Sequence, residues 1–246
     1  MTVFSSSILF SLIFVSAIAF YGASALAQEK QWKFSTTVYL FAADTTTGIG
    51  DTRTSLSFSD AVNNLDFAFS GSLAATNGKL SLIADYTYTG LTYSGGVSGP
   101  IGTTARTTLT TQFLTGYAAY RVFEVGQTSV DVGGGFRWFE TDTQVSIDRP
   151  SGTSQRNLGG NWIDPLIMLR GTTNFSDKWA GSLTADYGGL FSDRETSQVT
   201  ISINYELSDQ WLLRAGYRYI DVSNRLSGED YSFQQSGPVL GVSVRF

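Results

Sequence analysis

Residues 238–246 read Pro238-Val239-Leu240-Gly241-Val242-Ser243-Val244-Arg245-Phe246, and this alternation guides the interpretation of the whole chain. The even positions are all apolar, whereas the odd positions are Val239 followed by glycine, serine and arginine. Successive side chains of a β-strand point to opposite faces, so one face is apolar and the other is mostly small or polar. The wall of a membrane barrel has this pattern, because its outer face meets lipid and its inner face meets a polar lumen. The stretch is typical of the closing strand of an outer-membrane β-barrel.

Residues 1–27 have the features of a secretory signal peptide. They contain no charged side chain and no proline, and residues 8–20 are mostly apolar. Ala25-Leu26-Ala27 supplies the small residues that precede a signal-peptidase cleavage site. A transmembrane helical anchor is the alternative, but the apolar run is shorter than the ~20 residues that a helix needs to span a bilayer. We expect residues 1–27 to be a signal peptide and residues 28–246 to form one outer-membrane β-barrel domain.

Composition excludes several classes of function. The net charge is −5 with no basic cluster, which disfavours nucleic-acid binding. The chain has no cysteine and no histidine, so neither a thiolate nucleophile nor a Ser-His-Asp triad is possible. The outer-membrane enzymes known as omptin proteases, phospholipase, lipid A deacylase and palmitoyl transferase resemble one another in using a histidine. We therefore expect no enzyme and no cofactor, and catalysis by paired carboxylates, which needs no histidine, is the alternative.

The hydrophobic pattern predicts an all-β, antiparallel, up-and-down transmembrane barrel of ten strands. The expected strands are roughly residues 31–43, 64–77, 79–94, 104–123, 127–147, 162–175, 178–191, 195–207, 210–224 and 236–246. Tight turns such as Asn77-Gly78 alternate with longer connections at 44–63, 95–103, 148–161 and 225–235. Short turns face the periplasm in such barrels, so both termini are expected there. Within 44–63, Ser57 or Asp60 is a candidate N-cap for one short helical turn.

Aromatic residues are expected to form a belt at each membrane interface. The belt near the tight turns comprises Trp32, Phe34, Phe123, Phe175, Trp179, Tyr205, Trp211 and Phe246. The belt near the longer connections comprises Tyr88, Tyr93, Trp138, Trp162, Phe191, Tyr217 and Tyr219.

Alternation also places a balanced set of charges on the inward face of the strands. The expected lumen charge network comprises Asp66, Asp85, Asp131, Asp164 and Asp186 with Arg121, Arg137, Arg170, Arg214, Arg218 and Arg245. An ion-selective pore would show an excess of one sign. Balanced charges in a narrow lumen are expected to pair instead, because an unpaired buried charge is costly. The preferred interpretation is a plug of Asp/Arg pairs, and the alternative is a solute path or binding pocket among these charges.

The chain resembles the small OmpA-like outer-membrane β-barrel proteins of Gram-negative bacteria, within an uncharacterised group. The resemblance is carried by Leu65-Asp66-Phe67-Ala68-Phe69, Trp162-Ile163-Asp164-Pro165-Leu166, Gly216-Tyr217-Arg218-Tyr219 and residues 236–246. These are motifs of the barrel wall, and the best-known members have eight strands, so eight is the alternative strand number. The resemblance implies contact with outer-membrane lipid and lipopolysaccharide, and recognition of Phe246 by the barrel assembly machinery.

We expect a multi-pass protein of the cell outer membrane, monomeric, with a structural or surface-interaction role. A narrow, porin-like channel or transporter for small solutes is the alternative, and an enzyme that works without histidine is the third possibility.

Overall fold

The computed structural model describes residues 31–96, 104–149, 152–190, 194–226 and 228–246, so the predicted signal peptide lies outside the described residues. Strands and one helix make up nearly all of them. In chain order they are β1 Lys33–Phe41, β2 Asp44–Ile49, β3 Thr52–Leu56, α1 Phe58–Asn63, β4 Leu65–Thr76, β5 Leu80–Gly96, β6 Thr104–Val125, β7 Thr128–Arg149, β8 Gly152–Asn174, β9 Trp179–Gly188, β10 Glu195–Glu206, β11 Trp211–Leu226 and β12 Glu229–Arg245.

Ten of these strands form a closed antiparallel barrel. Strands β4 to β11 each pair with the next strand along the chain, and β1 pairs with both β4 and β12. The closing ladder runs from Phe41–Val239 to Ser35–Arg245. The predicted ten-strand barrel is confirmed, and the eight-strand alternative is wrong. We call the end of the barrel at which β1 begins, β12 ends and the tight turns lie the turn end, and we call the opposite end the loop end.

The two faces of the wall follow the predicted alternation. On β12, Leu240 and Val242 are exposed, whereas Ser243 is buried and hydrogen-bonds Thr37 across the closing ladder, with 2.7 Å between the hydroxyl oxygens. Large apolar side chains are exposed around the whole wall, among them Leu40, Leu73, Val132, Ile163, Leu183, Ile201 and Leu213. Apolar residues exposed on the outer face, with polar residues such as Ser243 buried on the inner face, match a barrel whose outer surface contacts lipid.

Local turn chemistry explains the ends of the strands. In the turn between β4 and β5, Gly78 has a φ of 88°, a region that residues with a side chain rarely adopt. The Asn77 side-chain oxygen accepts hydrogen bonds from the backbone N–H groups of Lys79 and Leu80 at 3.1 and 2.8 Å. The Asn-Gly pair therefore closes this hairpin as predicted.

Two of the expected loops are in fact strand. Residues 152–161 belong to β8 and residues 229–235 belong to β12, so the connections predicted at 148–161 and 225–235 are wrong. The β7–β8 ladder continues to the pair Arg149–Gly152, and the β11–β12 ladder continues to Leu226–Glu229. These segments carry polar residues on the outer face of the wall, so the sequence shows no apolar outward face there. The backbone hydrogen bonds of the ladders nevertheless hold the segments extended.

The connection between β1 and β4 contains a hairpin and a helix. Strand β2 pairs with both β3 and β12, so it prolongs the line of β1 along the closing strand. Helix α1 follows, with the Ser57 hydroxyl accepting a hydrogen bond from the Asp60 N–H at 3.2 Å. The predicted helical turn is confirmed, whereas the hairpin was not predicted. No helix among the described residues is long and apolar enough to cross a membrane.

The two predicted aromatic belts differ in how far their side chains are exposed. At the turn end, Trp32, Phe34 and Phe246 are among the exposed members. At the loop end, Tyr217 is exposed, but Trp162 is buried inside the barrel, so its assignment to the outer belt is wrong. The inward position of Trp162 follows from its strand, in which it has the same parity as Asp164. Phe191 lies outside the described residues.

Candidate functional site

The candidate site is the lumen, where buried charges and a buried aromatic cluster lie at successive levels. Arg137 projects inward from β7 and is completely buried, as is its partner Asp186 on β9. The Nη2 group of Arg137 donates to both carboxylate oxygens of Asp186, at 3.0 and 2.9 Å. Its Nε and Nη1 groups donate to the hydroxyls of Thr115 at 3.1 Å and Thr196 at 2.6 Å. The guanidinium thus bridges β6, β7, β9 and β10 across the interior.

A second buried arginine crosses the lumen from β11 to β1 and β5. Arg218 donates to Asp85 at 2.9 Å, and also to the Tyr39 hydroxyl at 2.7 Å. Tyr39 in turn donates to both oxygens of Asp85, at 2.9 and 2.8 Å. The Gln198 side-chain oxygen accepts two further hydrogen bonds from the Nε and Nη2 groups of Arg218. Charge-assisted hydrogen bonds of this kind hold a buried guanidinium in one position.

Two arginines share one carboxylate nearer the turn end. Asp131 accepts from the Nε of Arg121 at 3.1 Å and from the Nη2 of Arg170 at 2.6 Å. Arg170 also donates to the Ser81 hydroxyl at 3.0 Å. Asp131 is buried while both arginines keep some contact with solvent. Together with Ser81, this triad joins β5, β6, β7 and β8 near the turn end.

Asp164 contacts Trp162 and Arg194, and the sequence analysis did not place Arg194 in the lumen. Its Oδ2 accepts a hydrogen bond from the Trp162 indole N–H at 2.9 Å. Its Oδ1 has no hydrogen bond among the described residues, and the Nε of Arg194 lies 3.4 Å away as an ion-pair contact. Arg194 precedes β10 in the connection from β9, where strand alternation gives no orientation for a side chain. It was therefore missed.

Three predicted members lie apart from these buried pairs. Asp66 is exposed and accepts a hydrogen bond from the Thr92 hydroxyl at 2.7 Å. Arg214 donates to the Asn204 side-chain oxygen at 2.8 Å. Arg245 is exposed at the turn end and pairs with Glu206 at 2.8 Å. The register of β4 shifts between Leu65 and Phe67, so strand alternation, which predicted Asp66 in the lumen, does not hold at this end of β4.

The loop half of the lumen contains an apolar layer that the sequence analysis did not identify. Its members are Phe113, Phe139, Trp162, Ile220, Val222, Leu226, Tyr231 and Phe233. Phe139 lies at the centre, with its ring centroid 4.9 Å from that of Trp162 and 5.2 Å from that of Phe233. Parity was the available signal, since Phe139 faces the same way as Arg137 and Ile220 the same way as Arg218.

The apolar layer and the charged residues are in direct contact. The guanidinium carbon of Arg218 lies 5.2 Å from the ring centroid of Phe113 and 5.5 Å from that of Phe41. Cation–π attraction adds to the hydrogen bonds of Arg218 when such a group is desolvated. The apolar layer and the buried charges therefore meet at Arg218.

The chemistry available to this interior is limited. Among the described residues, no group of three or more acidic side chains is placed to hold a metal ion. A cavity of about 420 Å³ opens at the turn end, lined by Asn204, Glu206, Leu212 and Arg245 among others. Most of its lining residues are polar or charged.

Comparison with known proteins identifies the fold. The outer membrane protease OmpT of Escherichia coli superposes with a TM-score of 0.55 at 11% sequence identity, over 90% of this chain and 99% of that one. The translocator domain of the autotransporter NalP from Neisseria meningitidis gives a TM-score of 0.47 at 12% identity, over 87% of this chain and 88% of that one. No family model and no curated protein matches the sequence. At such identity the likeness to OmpT shows the fold alone, which is that of the outer-membrane β-barrels.

Proposed function

We propose that the protein is an integral outer-membrane β-barrel with a lumen closed by its own side chains, and that its role is structural or interactive at the cell surface. The observation that carries this proposal is the complete burial of the Arg137–Asp186 pair beneath the apolar layer around Phe139. The proposal places the turn end in the periplasm and the loop end outside the cell.

Burial of the charges supports a closed interior. A water-filled channel leaves a lumen guanidinium hydrated, whereas the side chains of Arg137 and Asp186 have no exposed surface and Arg218 has almost none. Removing ions from water is costly unless partners replace the hydration. In this barrel Asp186, Tyr39, Asp85 and Gln198 supply those partners.

The length of the strands supports a surface role. A barrel strand needs about 9–11 residues to cross a bilayer. Strand β7 has 22 residues and β8 has 23, so each is about twice that length. The outer face of the prolonged part is polar, with Asp142, Gln144 and Asp148 exposed. An ordered polar wall that stands above the membrane offers a surface to lipopolysaccharide headgroups or to extracellular partners.

A non-enzymatic role fits the state of the acidic side chains. Asp85, Asp131 and Asp186 each accept hydrogen bonds from an arginine, and Asp164 accepts one from Trp162. General acid–base catalysis needs a carboxyl group within reach of a substrate proton. Since these carboxylates are held by neighbouring side chains, they are structural partners. The lack of histidine removes the commonest catalytic base.

The same architecture supports proposals about insertion and assembly. The apolar outer wall fits contact with outer-membrane lipid, and the terminal Phe246 next to β1 fits recognition by the barrel assembly machinery. The ladder between β1 and β12 closes the barrel within one chain, so a monomer is the assembly that we propose.

A liposome-swelling assay tests the closed lumen against the channel alternative. Liposomes that contain the purified barrel are transferred into an iso-osmotic solution of a small neutral solute such as arabinose. A closed lumen gives the same swelling rate as protein-free liposomes. Swelling that rises with the amount of barrel and falls with solute size would replace this proposal by the narrow channel.

A further inference from the structure

The barrel wall opens between β1 and β4 toward the loop end. Their ladder runs from Lys33–Thr76 to Val38–Gly71. Beyond Val38, β1 continues along β12, and before Gly71 the residues of β4 pair with β5. The two strands diverge at this point, so the wall has a lateral opening on the side where the chain leaves β1 for the β2–β3 hairpin.

A cavity of about 520 Å³ occupies this opening. Its lining includes Leu40 and Phe69, which are exposed on the outer face of the wall. It also includes Thr87 and Leu91, which are almost fully buried on the inner face. Because neighbouring residues of a strand point to opposite faces, a cavity that touches both sets passes through the wall.

Helix α1 forms the apolar rim of the cavity. Phe58, Ala61 and Val62 line it, and the side chains of Phe58 and Val62 are about half exposed. The helix is fixed to β2 because the Phe58 N–H donates to the Asp44 carboxylate at 2.7 Å. The rim is thus accessible from the outer face of the wall and lies on the loop-end side of the opening.

The inner end of the cavity carries a hydrogen-bond acceptor without a donor. Gln235 lines the cavity and is 4% exposed. Its amide nitrogen donates to the Thr45 hydroxyl at 3.0 Å, but its Oε1 has no hydrogen-bond partner among the described residues. A buried acceptor without a donor is costly. This atom therefore points to a ligand that brings a donor group to the inner end.

The remaining lining specifies the rest of the ligand. None of the described residues that line the cavity carries a charge, and most of them are apolar. An ionised headgroup would be left without a counter-charge there, which is unfavourable in a desolvated site. The lining fits a long apolar chain with a neutral donor at one end.

From this geometry we infer that the opening between β1 and β4 is a binding site for a neutral single-chain amphiphile, such as a long-chain alcohol, that enters from the lipid phase. Its chain lies between α1, β1 and β4, and its hydroxyl donates to Gln235 Oε1. The site opens through the wall and reaches the inner face beside Tyr39. It does not require a closed lumen, so it extends the proposed function and does not depend on it.

Photolabelling in phosphatidylcholine vesicles tests the site. The probe is hexadecanol with a diazirine at the chain end, and the adducts on the reconstituted barrel are mapped by mass spectrometry. We expect adducts to concentrate on α1 and on the first residues of β4, over the equally lipid-exposed residues of β10. Unlabelled hexadecanol should compete about tenfold better than hexadecane, which reflects one hydrogen bond to a buried acceptor. Hexadecanoate should compete less well than hexadecanol at a pH where it is ionised.

Two variants separate binding from general lipid contact. Gln235→Leu should abolish the preference for hexadecanol over hexadecane, whereas Gln234→Leu, its neighbour on the opposite face, should retain it. Ala68→Trp should fill the cavity and lower labelling of α1. Heat-modifiable mobility in gels confirms that each variant is folded, and competition on the unaltered protein provides a test that needs no variant.

The outcomes are distinct from those of the lumen experiment. Adducts spread evenly around the lipid-facing wall, or equal competition by the alcohol and the alkane, would overturn the site. A barrel that conducts but retains the localised labelling would overturn the closed lumen alone.

Discussion

Arg137 and Asp186 form a two-point contact at the centre of the barrel, with one guanidinium nitrogen within 3.0 Å of both carboxylate oxygens and neither side chain exposed to solvent. The two residues lie on β7 and β9, so the pair connects strands that are not neighbours in the wall. The barrel interior is therefore cross-linked by charge, and its stability depends on both partners being present.

Arg137→Met should leave the Asp186 carboxylate buried without a counter-charge. Loss of one partner of a buried pair costs about 3–5 kcal/mol. The double variant Arg137→Met/Asp186→Asn should recover most of that loss, because no uncompensated charge remains and the amide oxygen still accepts from Tyr117. Urea unfolding in lipid vesicles, monitored by tryptophan fluorescence, measures the free energy of unfolding of each variant.

The matched control is Arg245→Met. Arg245 also pairs with a carboxylate, that of Glu206, but at the exposed turn end. Exposed ion pairs contribute about 0–1 kcal/mol. Similar losses for Arg137→Met and Arg245→Met would contradict a desolvated lumen.

Ile201→Arg tests the assignment of the lipid-facing wall. Ile201 is an outward residue near the middle of β10 and is 56% exposed. An arginine facing lipid at the bilayer midplane costs about 2–4 kcal/mol, and the cost falls to about 0–1 near the interfaces. Leu207→Arg, at a similarly exposed residue in the turn after β10, is the control. Equal unfolding free energies for the two variants would refute the position of the membrane.

Phe139→Ala should remove the centre of the apolar layer. Truncation of a fully buried phenylalanine typically costs about 3–5 kcal/mol, since it leaves a cavity. Phe136→Ala, on the lipid-facing side of the same strand, removes a ring that is already 41% exposed and should cost less. The same unfolding titration compares the two, and a reversed order would show that Phe139 does not lie in a packed interior.

Phe246→Ala should weaken closure of the barrel. The Phe246 and Phe34 rings stack with centroids 6.1 Å apart, and the two residues exchange backbone hydrogen bonds at 2.9 and 3.0 Å. Such a ring pair contributes about 0.5–1.5 kcal/mol. The amount of folded barrel in the outer membrane, read from heat-modifiable mobility, should fall for Phe246→Ala and more for deletion of the residue. Phe123→Ala, at another exposed aromatic of the turn end, serves as the control, and unchanged levels for the deletion would count against an assembly role of Phe246.

The wall of the barrel could be predicted from the sequence because lipid imposes a period of two on every spanning strand. Strand number and faces followed from that period, as for Leu240. The tight turns followed from turn chemistry, as for Asn77-Gly78. Above the membrane the constraint disappears, since both sides of the wall may be polar there. The outer halves of β8 and β12 were therefore taken for loops, although backbone pairing keeps them extended.

The interior could be predicted only in part. Parity placed Arg137, Asp186, Arg218 and Asp85 inward, but it does not tell which of them meet. Partners such as Arg194 come from connections without a strand period. The apolar layer was missed because polar lumens were the expectation, although Ile220 and Phe139 have inward parity. The lateral opening depends on where the β1–β4 ladder ends, and no local pattern encodes that point.

Ion conductance of the unmodified barrel in planar lipid bilayers tests the central claim most directly. Salt ions pass any continuous water-filled path, so the measurement responds to narrower openings than solute swelling does. The current is recorded in about 1 M KCl, where the Debye length is roughly 3 Å. A lumen closed by the Arg137–Asp186 pair and the layer around Phe139 predicts no steady current above that of the bare bilayer. A stable unitary conductance that scales with salt concentration would contradict it.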